Sequence, residues 1–370
     1  MPRAKRAEIE EQDITGLKYF RQLGSLLQEL HDVGCERDRA GNRSLHMDQY
    51  CTMILLYLFN PIVTSLRGLQ QASELKKVQK KLKCPRASLG SLSESIAVFD
   101  SKRLKPIIAA LGDKLAPIAK ESRLQEIRHT MTLVDGTVIT ALPRIAQASF
   151  LETQSGHSNL MNWTLHTHFE VDRHVPTRID ITPTGGGEFD ERAVMDRAVE
   201  SDRTYVMDRG YAKFELFNRI VDAGSSYVCR IRDNSVYDVL SEQELTDADR
   251  AAHVMSDEII QLGSAQAKSK PNHRLRLILI EMEPHQKRTR YGGKSTGPNC
   301  DGVLRIATNL LDVPAEIIAL MYRYRWTIEI FFRFFKHMLG CRHLLSRSQN
   351  GIEIQTYCAI IASMLISLWT

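Results

Sequence analysis

At about residue 130 the hydrophobic pattern of the chain changes, and that change limits the fold more than any other feature. Up to residue 125 the apolar positions follow helical spacing. There is a dense apolar helix at 50–59, an amphipathic lysine-rich one at 66–83, and helical periodicity over 94–120 with Pro106 and Pro117 as breaks. From Thr130 to Ile139 the residues are β-branched and apolar, broken by Asp135-Gly136. Two more strand candidates follow at 163–171 and 176–182, turned by Asp172-Arg173-His174. Gly185-Gly186-Gly187 leads into a helix at about 188–200. Then come a strand ending at Asp208, a helix at about 212–222 and a strand at about 225–231. That order builds an α/β mixed sheet flanked by helices. Residues 233–301 alternate short strands with basic turns and read as a β-rich insertion, and strand character returns at 303–308. Asp312 is placed to cap a helix with Pro314 in its first turn, running to about 338. The expected domains are a helical one at 1–125, a core in two parts at 126–232 and 302–370, and the insertion at 233–301.

Composition narrows the class. Of 370 residues, 43% are hydrophobic and 25% charged, as in a globular protein. The net charge of +5 is concentrated: residues 66–128 hold 14 Lys or Arg against 6 Asp or Glu, and residues 264–300 hold 8 against 2. Two basic segments suit a polyanion, although solvated lysine faces account for the same charge. The seven cysteines include no Cys-x-x-Cys pair, so zinc ribbons and redox motifs lack support. No apolar run follows the basic N-terminus, so no signal peptide is expected, and a reducing cytoplasm is. The apolar run at 356–370 is shorter than the roughly 20 residues a spanning helix needs.

Three carboxylates stand out. Asp135 lies inside an apolar strand, where a charge is costly unless exposed or paired. Asp208 ends another strand, and Glu329 lies on the helix that starts near Asp312. Taken alone, Asp135-Gly136 also reads as an ordinary turn. Carboxylates from separate elements can converge on hard cations such as Mg²⁺. Two such ions about 4 Å apart stabilise the attacking and leaving oxygens of a phosphoryl displacement. Around Glu329 the helix places Tyr322, Arg325, Glu329 and Lys336 within roughly 60° of one another, at about 100° per residue, and Arg333 joins them. Met321, Ile328, Phe332 and Phe335 take the neighbouring face. An i, i+4 Arg–Glu pair on a solvated face explains these charges, but not their clustering with Tyr322 and Trp326.

The spacing Tyr-x₂-Arg-x₃-Glu-x₆-Lys, met by Tyr322, Arg325, Glu329 and Lys336, resembles the signature of the insertion-sequence-four family of DDE transposases. Asp135-Gly136 resembles the family's first catalytic motif and Asp208-Arg209-Gly210-Tyr211 its second. The gap from Asp208 to Glu329 resembles its β-rich insertion. The likeness covers about residues 125–340. It implies a ribonuclease-H-like core with Asp135 on its first strand, Asp208 at the end of its fourth and Glu329 on the helix after the insertion. Asp135, Asp208 and Glu329 would be catalytic and would hold two Mg²⁺, for which Mn²⁺ can substitute. The implied reaction is cut-and-paste movement of double-stranded DNA, at transposon ends and target, by a homodimer in a bacterial nucleoid. Tyr322, Arg325, Arg333, Lys336 and Arg209 would hold phosphates, and Trp326 would either stack on DNA or sit in the core.

Lys294, in Gly292-Gly293-Lys294-Ser295-Thr296, reads as part of a flexible basic loop touching DNA. A P-loop would need glycine where Arg288 stands. His166 and His168 share a strand face without a third ligand, which argues against a metal there. Family members continue well beyond the glutamate helix, so a truncated copy is one expectation for a chain stopping at Thr370. A nuclease of the same fold and a non-catalytic DNA-binding descendant are the alternatives.

Overall fold

The computed structural model describes residues 9–17, 20, 24–33, 37–39, 41–115, 122–125, 127–140, 162–264, 266, 269–283, 301–340, 345–346 and 348–368. The main helices are α1 (Met47–Phe59), α2 (Leu66–Glu74), α3 (Lys76–Leu82), α4 (Leu89–Val98), α5 (Lys105–Lys114), α6 (Glu191–Arg197), α7 (Phe214–Asp222), α8 (Asp247–Ala251), α9 (Ala315–Arg323), α10 (Arg325–Gly340) and α11 (Gln349–Ser367). The strands are β1 (Thr130–Thr140), β2 (Asn162–Glu170), β3 (Val175–Pro183), β4 (Arg203–Met207), β5 (Ser226–Arg230), β6 (Tyr237–Glu242), β7 (Val254–Leu262), β8 (Leu275–Glu281) and β9 (Val303–Thr308). The chain divides into two compact units. One comprises Met1–Ala116, Ile139–Asn162 and Phe331–Thr370, and the other Pro117–Val138 and Trp163–Ile330.

The first unit is helical. Residues 50 to 58 of α1 are all buried, as an apolar sequence with no polar face requires. The C-terminal apolar run forms most of α11, which is buried from Gly351 to Leu365 apart from Glu353 and packs against α1, α4 and α5. Among the described residues no helix is long and apolar enough to cross a membrane. Asn350 ties α11 down: its amide donates to the Ile96 and Phe99 carbonyls at 2.6 and 2.7 Å and accepts from the Ser101 N–H at 3.1 Å. The lysine-rich stretch is two helices, because Leu75 is extended between α2 and α3. Pro106 starts α5 where a break was expected, since a helix's first turn has no use for the missing N–H. Lys76, Lys80 and Lys81 are exposed on α3, but Lys77 is not a free cation. Its Nζ donates to the Glu11 and Ile14 carbonyls at 2.8 and 3.3 Å.

The second unit is built on a nine-stranded sheet of order β3-β2-β1-β4-β5-β9-β8-β7-β6. β1, β4 and β5 run parallel, and β9, β8, β7 and β6 follow antiparallel to their neighbours. Residues 233–301, read above as an insertion, therefore supply the far strands of this same sheet. Residues 331–370, read above as core, group instead with the N-terminal helices. α7 lays Leu216, Phe217 and Ile220 over Tyr205, Met207, Tyr227 and Cys229, with Phe217 and Tyr227 stacked at 4.2 Å. The alternate residues Val206, Val228, Ile278 and Ile306 are buried on the other side, where α9 packs against β4, β5, β7 and β8.

The helix expected from Asp312 to about 338 is interrupted. Pro314 rather than Asp312 precedes it, α9 ends at Arg323, and α10 restarts at Arg325 after Tyr324. Thr327 N–H reaches back only to Tyr324 O, at 2.8 Å, a tightened turn at the junction. Two contacts from the far strands hold this helix pair. Asp249 on α8 accepts from the Glu316 N–H at 2.9 Å and so caps α9. Arg276 on β8 forms a buried, two-pronged pair with Asp257 on β7 (Nε–Oδ1 2.6 Å) and donates to the carbonyls of Leu310, Leu311 and Val313 just before α9.

These contacts give two expectations. Lys77→Ala should cost about 1–2 kcal/mol in chemical denaturation, because two backbone carbonyls lose their donor, whereas Lys76→Ala, Lys80→Ala and Lys81→Ala together should leave stability within about 0.5 kcal/mol. Equal losses would refute the distinction. Arg276→Ala should cost about 3–5 kcal/mol, since it strands the buried Asp257 carboxylate; a melt unchanged from the parent's would contradict that.

Candidate active site

The parallel pairing of β1 with β4 builds the centre of the site. Its register ends at Val134 opposite Met207. The next residues are Asp135 and Asp208, so the two acids emerge side by side from neighbouring strands. β1 continues without a break through Asp135-Gly136, and only its pairing to β4 ends there. Asp135 Oδ1 accepts from its neighbour's N–H, that of Gly136, at 2.8 Å. Asp208 leaves its strand and caps the turn Arg209–Tyr211 by accepting from the Gly210 N–H at 2.7 Å. A Cβ on Gly210 would lie 2.9 Å from the Asp208 Oδ1, so glycine leaves room for the cap.

Arg325, at the start of α10, joins the third signature acid to the first. Its Nη2 lies 2.6 Å from Glu329 Oε1, and its Nη1 lies 3.7 Å from Asp135 Oδ2. The same guanidinium sits over the Trp326 ring, 5.6 Å from its centroid. Tyr322, the penultimate residue of α9, is half-buried, and burial pushes its phenol up to about 12 against the pull of Arg325 and Arg230. Trp326 is 58% exposed, which excludes the core role left open above. Ile328, Phe332 and Phe335 are buried, as the apolar face of the helix requires. Arg333 and Lys336 are exposed on the later turns of α10, which belong to the first unit, and Arg209 is half-buried in the turn after Asp208. Lys294 lies outside the described residues. His166 bonds Thr182 Oγ1 at 2.8 Å, and burial pushes His168 down to about 3, so that ring is neutral.

Two residues at the site were not singled out from sequence. Glu191, the first residue of α6, follows the cap Asp190. The Arg192 guanidinium grips Asp190 at 2.8 and 2.7 Å and holds its carboxyl well below the usual range. Glu191 shifts the other way: burial, then the charges of Asp208 and Asp190, push its carboxyl up. A Cβ on Gly136 would lie only 2.4 Å from Glu191 Oε1, so this carboxylate rests against the backbone beside Asp135. Tyr211, buried beneath the turn, carries a hydroxyl with no hydrogen-bond partner among the described residues, within electrostatic reach of Glu191, Asp135, Asp208 and Asp190. The sequence signal for both was a glycine beside each acid in Asp135-Gly136 and Asp208-Arg209-Gly210, which marks close approach.

The site carries excess negative charge. Burial, followed by the charges of Asp208 and Glu191, raises the Asp135 carboxyl to about 7, despite the Gly136 N–H and Arg325. The donors are carboxylate oxygens, the set a hard divalent cation takes, and the unrelieved charge fits such a cation. Among the described residues, no group of three or more His, Cys, Asp or Glu side chains is gathered closely enough to hold an ion as it stands.

The mixed sheet thus presents paired acids at the ends of adjacent parallel strands, with a helix-borne Arg–Glu pair beside them. Residues 127–365 match the Transposase DDE domain family, and the chain belongs to that family. It is 27% identical over 238 residues to a Geobacillus stearothermophilus protein named as the probable transposase for insertion sequence element IS5377, a match covering 64% of this chain and 55% of the relative. It is 23% identical over 274 residues to y4zB of Sinorhizobium fredii, also named as a transposase, covering 74% and 70%. The chain thus spans little more than half the length of the first of these relatives. A solved piggyBac transposase synaptic complex with hairpin DNA aligns over 95% of this chain and 75% of that one, at 10% identity and a TM-score of 0.39.

The charge imbalance predicts a pH effect. A raised folded-state pKa means that the folded protein binds the extra proton, so Asp135 erodes stability as pH climbs from about 4 to about 7. In chelator, Asp135→Asn should match the parent's stability at pH 4 and exceed it at pH 8, by no more than about 4 kcal/mol. A difference independent of pH would rule out this account.

Proposed function

We propose that this chain is the catalytic part of a DNA transposase of the insertion-sequence-four family, moving DNA by metal-dependent strand cleavage and strand transfer. One observation carries the reading: the β1–β4 register delivers Asp135 beside Asp208, and Arg325 links Asp135 to Glu329. Family membership supports it. The order β3-β2-β1-β4-β5, with Asp135 on the first strand and Asp208 at the end of the fourth, supports a ribonuclease-H-like core.

In this reading Asp135, Asp208 and Glu329 hold two Mg²⁺, or Mn²⁺ in their place. When bound, those ions supply activation of the attacking oxygen and neutralise charge on the phosphate. The remaining work falls to the chain. Tyr322, Arg325, Arg333 and Lys336, with Arg209 and Lys294, grip phosphates of the transposon end and keep the scissile bond in line. Trp326, exposed beside Arg325, offers a stacking face. The helical N-terminal residues and the exposed lysines of α3 add sequence-independent DNA affinity. Joining two transposon ends to a target requires at least two subunits, hence a homodimer on DNA.

The test is paired, with gel-shift affinity and single-turnover cleavage measured on one labelled DNA end. Asp135→Asn, Asp208→Asn and Glu329→Gln should cut at below about a hundredth of the parent rate while binding DNA as the parent does. Arg325→Ala and Lys336→Ala should reduce both cleavage and binding, with no rescue by added Mg²⁺. Cleavage by any acid variant near the parent rate would remove that residue from the site, and unimpaired basic variants would remove the phosphate grip.

A further inference from the structure

Glu191 belongs to no part of the signature, yet it lies closer to Asp135 than sequence order suggests. α6 begins immediately after the Asp190 cap, and its first residue points at β1. The contact is specific: Glu191 Oε1 occupies the space that a side chain at position 136 would fill, 2.4 Å from the Cβ site. Gly136 lies within β1 rather than in a turn, and its backbone is not in the left-handed region, so conformational freedom does not account for it. What its missing side chain provides is a seat for a carboxylate.

We propose that Glu191 is a fourth carboxylate of the divalent-metal site, seated by Gly136 beside Asp135 and Asp208. The proposal rests on the reading of Asp135 and Asp208 as metal-binding residues. A second observation points to a ligand at the same place. The Tyr211 hydroxyl is buried, finds no hydrogen-bond partner among the described residues, and counts Glu191, Asp135 and Asp208 among its electrostatic neighbours. Leaving a buried hydroxyl unpaired is costly unless something else satisfies it, and water coordinated by a cation among these carboxylates is such a partner. Glu329 is drawn aside to Arg325 at 2.6 Å, whereas among the described residues Glu191 forms no comparable ion pair. Its basic neighbour Arg192 is engaged by Asp190. Glu191 therefore lies against the backbone beside Asp135, within electrostatic reach of Asp208, where a metal ligand would be.

The experiment measures Mn²⁺ binding to the full chain by titration calorimetry, without DNA and without reference to cleavage. Glu191→Gln keeps the shape and removes the charge; it should weaken Mn²⁺ binding at least tenfold or abolish one of two binding events. Gly136→Ala alters no carboxylate but evicts Glu191 from its seat, and should reproduce that loss. In the Gly136→Ala, Glu191→Gln double variant the two losses should not add, because both remove the same ligand. Circular dichroism melts confirm that each variant is folded. Asp135→Asn serves as the reference. If Asp135→Asn loses Mn²⁺ while Glu191→Gln binds it like the parent, the fourth carboxylate is refuted and the metal site stands. If Asp135→Asn also binds Mn²⁺ like the parent, the underlying metal-site reading fails and the proposal fails with it. Additive losses in the double variant would mean that Gly136 acts other than through Glu191, which overturns the seating argument.

Discussion

The parallel pairing of β1 and β4 imposes the constraint on which the second unit is organised. Because its register closes at Val134 and Met207, Asp135 and Asp208 must emerge together from adjacent strands, with Glu191 against Gly136. Like charges on half-buried groups repel more strongly than they would in water. Among the described residues, the Arg325 guanidinium and the backbone N–H groups of Gly136 and Gly210 meet this. Even so, burial, with the charges of Asp208 and Glu191, keeps the Asp135 carboxyl raised. A site with unrelieved charge sacrifices stability for affinity toward cations, and such cost is ordinarily concentrated where function lies.

Arg325 can reach Asp135 only if the start of α10 is fixed, and this is where the far strands of the sheet matter. Arg276 clamps the carbonyls of residues 310, 311 and 313, and Asp249 caps α9 through the Glu316 N–H. Both come from the segment that the sequence pattern presents as an insertion. Its strands β6–β8 extend the sheet through β9, and its polar groups hold the launch point of the signature helices. A buried ion pair such as Arg276–Asp257 contributes little net stability compared with apolar packing, but it fixes geometry because it has one satisfied arrangement. Here the geometry it fixes is the approach to α9.

Much of this was legible in the sequence, for reasons that particular residues make plain. Thr130 to Val134 and Arg203 to Met207 are short β-branched or apolar runs ending at an acid, and both formed strands ending their pairing at that acid. The helical spacing of Ile328, Phe332 and Phe335 correctly gave the buried face of α10. What periodicity could not supply was partnership. Nothing local distinguishes Lys77 from Lys76, yet only the former meets backbone carbonyls 63 and 66 positions away. Arg276 looked like one charge in a basic segment, but its partners lie across a strand pair and a later loop. Glu191 was hidden for the same reason, since its neighbour Gly136 is far away in sequence. The break at Tyr324 was invisible because the apolar period runs through it.

Arg325 also carries a constraint that bears on the proposed function. Its guanidinium is committed to Glu329 at 2.6 Å and, more loosely, to Asp135 at 3.7 Å. A phosphate grip draws on the same set of donors, so contacts to Glu329 and Asp135 compete with it. The looser contact with Asp135 is the one to yield, because at 3.7 Å it is an ion pair without a hydrogen bond. Neutralising Asp135 by any other positive charge would remove the reason for that contact and leave one side of the fork free for an anion. On the proposed reading, cation uptake by the carboxylates and phosphate binding by Arg325 would therefore be coupled through one side chain. The exposed Trp326 ring under the guanidinium supplies a flat surface on which it can turn without losing its apolar support.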